Sequence, residues 1–373
     1  ERMNKLRHFQ NLFKNISKPL LLIPVFFFIM SMLMMFSTSY DNGIVVSRTV
    51  LIQAAAYFLG LVVIIVLANM DYTVLQEFEK PLYIFSILFL LTPYLPVIGL
   101  ELNGARSWIN LGFTTFQPSE IVKITFVILT ANYMQRNRDK LYTFRSVVMA
   151  ALYSGPFIVI VLKDDFGSAV VFIVMWIVML FFAGIDGKLF AKCAGATALC
   201  MPIAYRFLDP YQQERITAFL HPDNLSLQGN YQIWMSKVAI GSGGFFGKGL
   251  FQGTQKDLNF LPVRNSDFVF AVIVEELGFI GGAALVAAYT WFIYAMAKVA
   301  YMSKDLYGTL IVMGFLGMFV FQIFENIAMC MGLMPATGIT LPFISYGGSS
   351  VLSSMTALGL VINVAIRNRG VTF

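Results

Sequence analysis

Apolar residues dominate the chain in continuous runs of about twenty residues, separated by polar connections. A hydrocarbon core about 30 Å thick needs about 20 apolar residues in a helix, and within lipid only helices or closed barrels satisfy every backbone amide. Because the runs are continuous and do not alternate with polar residues, they predict membrane-spanning helices. Ten are predicted, over residues 19–38, 49–70, 81–100, 118–134, 144–162, 167–184, 190–207, 268–301, 306–333 and 344–366.

One polar segment, residues 208–267, is too long to be a simple turn, and it separates the seventh predicted helix from the eighth. Lys and Arg favour cytoplasmic loops. They are concentrated in residues 1–18, in the connection after the fourth helix and in later even-numbered connections. The pattern therefore predicts an all-α integral membrane protein, one polytopic domain over residues 1–373. Both termini, including the tail of residues 1–18, are expected in the cytoplasm, and the large 208–267 loop is expected to be extracellular.

Composition agrees with a membrane protein and argues against an ordinary soluble domain and against a nucleic-acid-binding protein. Of the residues, 58% are hydrophobic and 12% are charged, whereas an ordinary soluble domain has about 25% charged residues. The net charge of +6 reflects basic cytoplasmic loops and ends, so nucleic acid is not an expected partner. The three cysteines lie in apolar runs without metal-ligand spacing. We therefore expect no metal site built from protein ligands alone.

The first polar cluster is in the connection before the fourth helix and in that helix itself. Pro118 suits a first helical turn, and Glu120 and Lys123 are neighbours on one helical face. One interpretation is an internal salt bridge that lets two charges lie in the membrane. The other is that Lys123 or Arg106 meets a substrate phosphate while Glu120 orients it, because cationic side chains are the usual phosphate partners. Trp108 is expected to anchor the membrane interface.

Three acidic residues in or near the predicted helices are further candidates, and two of them have two interpretations each. Asp165, two residues before Gly167, can cap the sixth helix, line a polar cavity, or do both. Asp267, at the entrance to the eighth helix, is either an N-cap or a general base at the mouth of a cavity. Glu275 lies about two turns further along nearly the same face, so we expect it to line the same cavity at greater depth.

The outer loop adds further candidates. Arg215 lies in a short amphipathic stretch, and residues 230–241 have a helical apolar stripe typical of a helix on the membrane or on the bundle. Residues 241–249 are glycine-rich around Lys248, but a Walker loop has Ser or Thr after Gly-Lys, and Gly249 follows here. Nucleotide binding is therefore rejected, and the run is either a mobile loop or a pyrophosphate contact. Glu325 is another intramembrane acid, and residues 337–350, which include Ser345, are rich in hydroxyl groups.

A polar cavity that opens outward from an apolar bundle suits a substrate with a lipid tail and an anionic head. Several segments also resemble the SEDS family of shape, elongation, division and sporulation proteins. They are Phe-Gln-Pro-Ser-Glu at 116–120, Asp-Phe-Val-Phe-Ala at 267–271, Glu-Glu-Leu-Gly at 275–278 and Leu-Pro-Phe-Ile-Ser-Tyr-Gly-Gly-Ser at 341–349, with others at 236–244, 247–249 and 260–262. The 236–244 segment and Gly-Thr-Gln at 253–255 resemble the elongation branch.

The resemblance implies peptidoglycan glycosyltransferase activity on lipid II, with a class B penicillin-binding protein and the elongation machinery as partners. It implies that Asp267 is the essential acid, that Glu120 and Lys123 are the polar pair, and that Arg48, Arg106 and Asp165 are cavity residues. A divalent cation, Mg²⁺ or Mn²⁺, is an open candidate to share the stabilisation of the leaving group, and no redox cofactor is expected. The chain departs from the commonest family pattern at residues 163–165 and 264–267.

A flippase of the lipid-linked precursor is the alternative function, because ten helices around a polar cavity also suit alternating access. The charges concentrate toward one side, however, and the sequence has no inverted repeat or paired broken helices of the kind that transporters often have. A non-catalytic scaffold would leave the buried acids without a purpose. The enzyme is therefore the favoured hypothesis.

Overall fold

The structure is a computed structural model that describes residues 18–39, 47–102, 105–112, 114–141, 143–206, 210–227, 229–254 and 265–368. These residues are mostly helical. Their α-helices are α1 Lys18–Ser39, α2 Arg48–Asn69, α3 Glu79–Leu90, α4 Pro118–Arg136, α5 Phe144–Asp164, α6 Phe166–Phe182, α7 Gly187–Tyr205, α8 Pro210–Leu220, α9 Asn230–Ser242, α10 Val269–Tyr301, α11 Leu306–Cys330 and α12 Gly348–Asn368.

Six of these helices, α1, α2, α5, α10, α11 and α12, are long and apolar enough to cross a membrane, and α6 is a shorter apolar helix. At the centre lies α4, which packs against α3, α5, α6, α11 and α12. Almost all of its side chains are buried, including those of Glu120 and Lys123. The polar residues of α4 are therefore inside the bundle.

The third predicted helix, residues 81–100, is wrong in its second half. The helix α3 ends at Leu90, a 3-10 turn follows at Thr92–Tyr94, and a strand begins at Gly99. Pro93 and Pro96 explain the early end, because proline donates no backbone hydrogen bond and disfavours helical geometry in the residue before it. Two later boundaries also move: the ninth predicted helix ends at Cys330 and the tenth begins at Gly348.

A small antiparallel sheet follows α3, mostly in residues predicted to form a connection. It consists of β1 Gly99–Leu102, β2 Ala105–Asn110 and β3 Thr115–Phe116, in that spatial order. Leu100 pairs with Trp108, and Ile109 pairs with Phe116. The sheet leads directly into α4 and so sits over the end of the central helix that carries Glu120.

The polar segment between α7 and α10 contains two helices of its own, α8 and α9. The helix α9 packs on α10 and α11, and its Ser236 donates a buried hydrogen bond to the Cys330 carbonyl at 2.8 Å. Of the two interpretations of its apolar stripe, the structure has the helix packed on the bundle.

The glycine-rich run after α9 docks into an interruption of α10 at Gly278, which has φ 70° and ψ −170°. There the helix cannot continue its own hydrogen-bond ladder. Loop amides supply the missing donors: Lys248 N and Gly249 N donate to the carbonyls of Glu275 and Glu276 at 3.0 Å each. In return, two amides of α10 donate to loop carbonyls, Phe279 N to Gly244 O and Ile280 N to Phe245 O.

This docking predicts that Gly247 tolerates no side chain. It has φ 80°, and an added β carbon would lie 2.1 Å from the Glu276 carbonyl oxygen. We expect Gly247→Ala to cost about 1–3 kcal/mol of stability, because the backbone must either strain or move away. Gly241→Ala is the matched control, since no atom of the described residues lies within 4 Å of its added β carbon. Thermal unfolding in detergent measures both, and equal melting temperatures would contradict the close packing.

Candidate functional site

A polar cavity of about 360 Å³ lies between the start of α4, the sheet, the start of α6, α8, the turn before α10 and the segment before α12. Its charged lining residues are Glu120, Lys123, Asp164, Asp165, Arg215 and Asp267. Five predicted site residues, Glu120, Lys123, Asp165, Arg215 and Asp267, are thus brought together, although they come from segments far apart in sequence. Their convergence gives one site that both carboxylates and cations line.

Asp267 lies half-buried in the turn before α10 and lines the cavity. The residue at the cap position of α10 is Phe268, and no side chain among the described residues caps that helix end. The capping interpretation of Asp267 is therefore wrong. Burial raises the pKa of the Asp267 carboxyl above its ordinary value, while a hydrogen bond from Ser266 and the charge of Arg215 oppose the rise. Asp267 is thus a carboxylate turned toward the cavity, with a cation nearby.

Glu120 and Lys123 form the salt bridge that their spacing suggested, with 2.7 Å between Lys123 Nζ and Glu120 Oε1. Both side chains are almost completely buried, and both also line the cavity. Pro118 opens α4, and Ser353 on α12 donates to the Glu120 carbonyl at 2.7 Å. The salt-bridge and cavity interpretations are therefore compatible, because one ion pair does both.

Asp165 also has both of the roles that were considered for it. Its Oδ1 accepts from Ser168 N at 2.9 Å and so caps α6, while its Oδ2 accepts from Gln117 Nε2 at 2.7 Å. Because Gln117 precedes α4, this contact joins the starts of α4 and α6. The carboxylate is held rigidly at the cavity wall.

Two of the three predicted arginines, Arg106 and Arg48, lie outside the main cavity but close to it. Arg106, on β2, forms an exposed ion pair with Glu101 at 3.0 Å and lines a small neighbouring pocket. That pocket shares Asp164 and Asp165 with the main cavity. Arg48, the first residue of α2, interacts electrostatically with Tyr346, which lines the cavity. Both arginines are therefore peripheral in this structure.

Lys248 and Glu275 lie elsewhere, so the expectation that Glu275 lines the cavity is wrong. Lys248 Nζ pairs with Glu275 Oε1 at 2.7 Å and with the Thr254 hydroxyl at 2.7 Å. The pair lies where the glycine-rich run docks on α10, and neither residue lines the cavity. Glu275 does not reach the cavity because the docked loop covers that part of α10. The run packs against protein backbone, so the structure gives no support for a pyrophosphate contact there.

Ser345 does not line the cavity either; it supports the turn that carries Asp267. Its hydroxyl donates to the Ser266 carbonyl and accepts from Leu341 N at 2.8 Å. The neighbouring Tyr346 amide donates to the Asn265 carbonyl at 2.8 Å. The hydroxyl-rich segment thus fixes the approach to α10.

Sequence reasoning missed one whole wall. Ser107, Trp108, Thr114 and Thr115 of the sheet region line the cavity, so Trp108 faces the site and not only the membrane interface. The signal was present: Asn-Gly at positions 103 and 104 is the strongest short-range hairpin signal. Gln212 on α8 and Gln322 on α11 also line the cavity, and no motif marked them.

The fold and the cavity define a multi-pass integral membrane protein with a polar site inside its helical bundle. The chain belongs to the FtsW/RodA/SpoVE family, because the model of that family, described as "Cell cycle protein", matches residues 17–370. This confirms the resemblance to the SEDS family that the motifs indicated. The match of the family model covers nearly the whole chain and not one motif alone.

Individual relatives agree with this assignment. Stage V sporulation protein E from Bacillus subtilis is 32% identical over 359 residues, covering 94% of this chain and 97% of that protein. Peptidoglycan glycosyltransferase MrdB from Escherichia coli (strain K12) is 33% identical and covers 82% of each chain. A solved chain from a peptidoglycan synthase complex that coordinates polymerization and crosslinking is 29% identical, with a TM-score of 0.81, covering 95% of this chain and 98% of that one.

The buried ion pair generates a stability prediction. Lys123→Met leaves the Glu120 carboxylate buried without its cation, which we expect to cost about 3–5 kcal/mol. The double variant Glu120→Gln/Lys123→Met removes both charges and should regain most of that loss, because the pair itself contributes little net stability. Thermal unfolding of the three proteins in detergent checks this. A double variant no more stable than Lys123→Met would mean that Glu120 is not the residue left uncompensated.

Proposed function

We propose that this chain is a peptidoglycan glycosyltransferase that polymerises lipid II into β-1,4 glycan strands at the outer face of the cytoplasmic membrane. The observation that carries the proposal is Asp267, a carboxylate without a capping role that faces a polar cavity also lined by Lys123 and Arg215. Support comes from the family match and from the relative named peptidoglycan glycosyltransferase MrdB.

In the proposed reaction Asp267 accepts the proton of the acceptor sugar's 4-hydroxyl. The hydroxyl oxygen attacks the anomeric carbon of the donor. The bond from that carbon to the lipid-linked pyrophosphate breaks, and the pyrophosphate leaves with the bonding electron pair. Attack from the opposite face converts an α-linked donor into a β-linked product. Lys123 and Arg215 in the cavity, with Arg106 beside it, stabilise the negative charge that develops on the leaving group.

A divalent cation, Mg²⁺ or Mn²⁺, is part of the proposal as a helper of these cations. The described residues contain no group of three or more His, Cys, Asp or Glu side chains that would hold a metal ion. Mg²⁺ is commonly held by one or two carboxylates together with substrate phosphates. The adjacent Asp164 and Asp165, which both line the cavity, fit that donor set and would hold the ion. When bound, it would supply positive charge for the leaving pyrophosphate.

The proposal includes a topology and partners. Ten helices cross the membrane, both termini are cytoplasmic, and the 208–267 loop lies outside, where it brings Arg215 to the cavity. A class B penicillin-binding protein cross-links the product, within the elongation machinery. The synthase complex to which this chain is similar supports such a partner, and the 236–244 motif supports the elongation role.

The test is polymerisation of purified lipid II by the chain co-purified with its class B partner. We expect Asp267→Asn to lower the rate by about 10²-fold or more, because the amide cannot accept the proton. Asp305→Asn is the matched control: Asp305 caps α11, with 2.6 Å between Gly308 N and Asp305 Oδ1, and asparagine caps helices equally well. Full activity in Asp267→Asn at equal folding would remove Asp267 from the mechanism.

A pH dependence follows from the same carboxyl. A general base must be deprotonated, so kcat/KM falls as the pH drops through the pKa of Asp267. An ordinary aspartate has a pKa of about 3.9, and burial raises that of Asp267, so the acidic limb should have its midpoint above that value. The charge of Arg215 lowers the pKa, so Arg215→Gln should move the midpoint higher still. Initial rates across a buffer series measure this. A midpoint that stays in place in Arg215→Gln would contradict the assignment.

A further inference from the structure

The main chain of Asp267 is held by a buried amide that no motif singled out. Asn326 on α11 is fully buried, and its Nδ2 donates to the Asp267 carbonyl oxygen at 2.9 Å and to the Ile339 carbonyl oxygen at 2.8 Å. We propose that Asn326 is a positioning residue that locks the Asp267 carboxylate in register with the cavity wall formed by residues 337–340. This inference rests on the proposed function of Asp267 as the base.

The contact depends on the chemistry of an amide. A side-chain NH₂ group offers two donors in one plane, and here both acceptors are backbone carbonyls. Turning the amide over would place its oxygen against two carbonyl oxygens, so the orientation is fixed. The Asn326 Oδ1 atom is buried and has no hydrogen-bond partner among the described residues. The arrangement thus keeps both donors on the two carbonyls, while Oδ1 gains no partner from the part of the chain that the structure describes.

The two carbonyls belong to the two segments that must stay aligned. Residues 337–340 line the cavity beside Asp267, and a β carbon added at Gly338 would lie 3.7 Å from Asp267 Oδ2. The residue before Asn326, Glu325, accepts a hydrogen bond from the Thr337 hydroxyl. Successive residues of α11 therefore hold the wall at positions 337 and 339, and Asn326 also holds Asp267.

A distant asparagine provides a matched comparison for a purely structural role. Asn363 on α12 is also buried, and its Nδ2 also donates to two carbonyls, Leu67 O at 2.5 Å and Met70 O at 3.1 Å. It differs in that its Oδ1 accepts from Arg367 at 3.0 Å. Asn363 lines no part of the cavity. Loss of its amide therefore removes comparable hydrogen bonds without touching the proposed base.

The experiment compares Asn326→Leu with Asn363→Leu in the full chain co-purified with its partner. Both variants should unfold at lower temperature than the wild type. We expect only Asn326→Leu to lower kcat for lipid II polymerisation, by roughly 10²-fold, because a small displacement of a catalytic group has that scale of effect. The KM for lipid II should stay unchanged, since Asn326 does not line the cavity.

Equal kcat values in the two variants would overturn the inference, as would a loss in Asn326→Leu that lies in KM alone. If Asn326→Leu does not fold, Asn326→Ser is the variant to measure. Its short hydroxyl group cannot reach both carbonyls, and its volume differs less from that of asparagine. A wild-type kcat in Asn326→Ser would then overturn the inference. The proposed function fails separately, if the wild-type complex makes no polymer.

Discussion

A charged side chain inside an apolar bundle must have a partner, and the Glu120–Lys123 pair shows how the rest of the structure is arranged around that constraint. The pair lies on α4, the helix that contacts five others, and its side chains are almost completely buried. Each charge is compensated by the other at 2.7 Å, and both residues line the cavity. Carboxylates and cations from distant segments meet at that cavity, and they give the site its polar wall.

The second requirement concerns the backbone. Non-helical backbone at membrane depth is tolerated only where protein buries it or where it lines a cavity. The segment before α12 meets this condition through side chains of other helices: Ser31 donates to the Ile344 carbonyl, Tyr57 to the Phe343 carbonyl and Gln53 to the Ser345 carbonyl. Ser345 and Asn326 extend the same support to the turn that carries Asp267. Asp267 is thus presented to the cavity by irregular backbone that the helices hold in place.

The sequence was sufficient for the parts that depend on local pattern. Continuous apolar runs predicted most helices, and the i, i+3 spacing of Glu120 and Lys123 predicted their ion pair. The sequence was insufficient where contacts with distant segments determine what surrounds a residue. The role of Glu275 depends on a loop docked at Gly278, which periodicity along one helix does not reveal. The sheet that contains Trp108 was missed because hydropathy dominated the interpretation of residues 91–116. Pro93 indicated a helix end there, and the Asn-Gly dipeptide at 103–104 indicated a hairpin. Asn326 carries no motif, so only its contacts reveal it.

We propose that the cavity carries out glycosyl transfer and does not pass the precursor across the membrane. The most direct measurement reconstitutes the chain and its class B partner in liposomes, supplies lipid II to the outer leaflet, and follows both polymer formation and the lipid's movement between leaflets. We expect β-1,4 glycan that a muramidase added outside can digest, with no acceleration of lipid movement. Accelerated movement without polymer would contradict it.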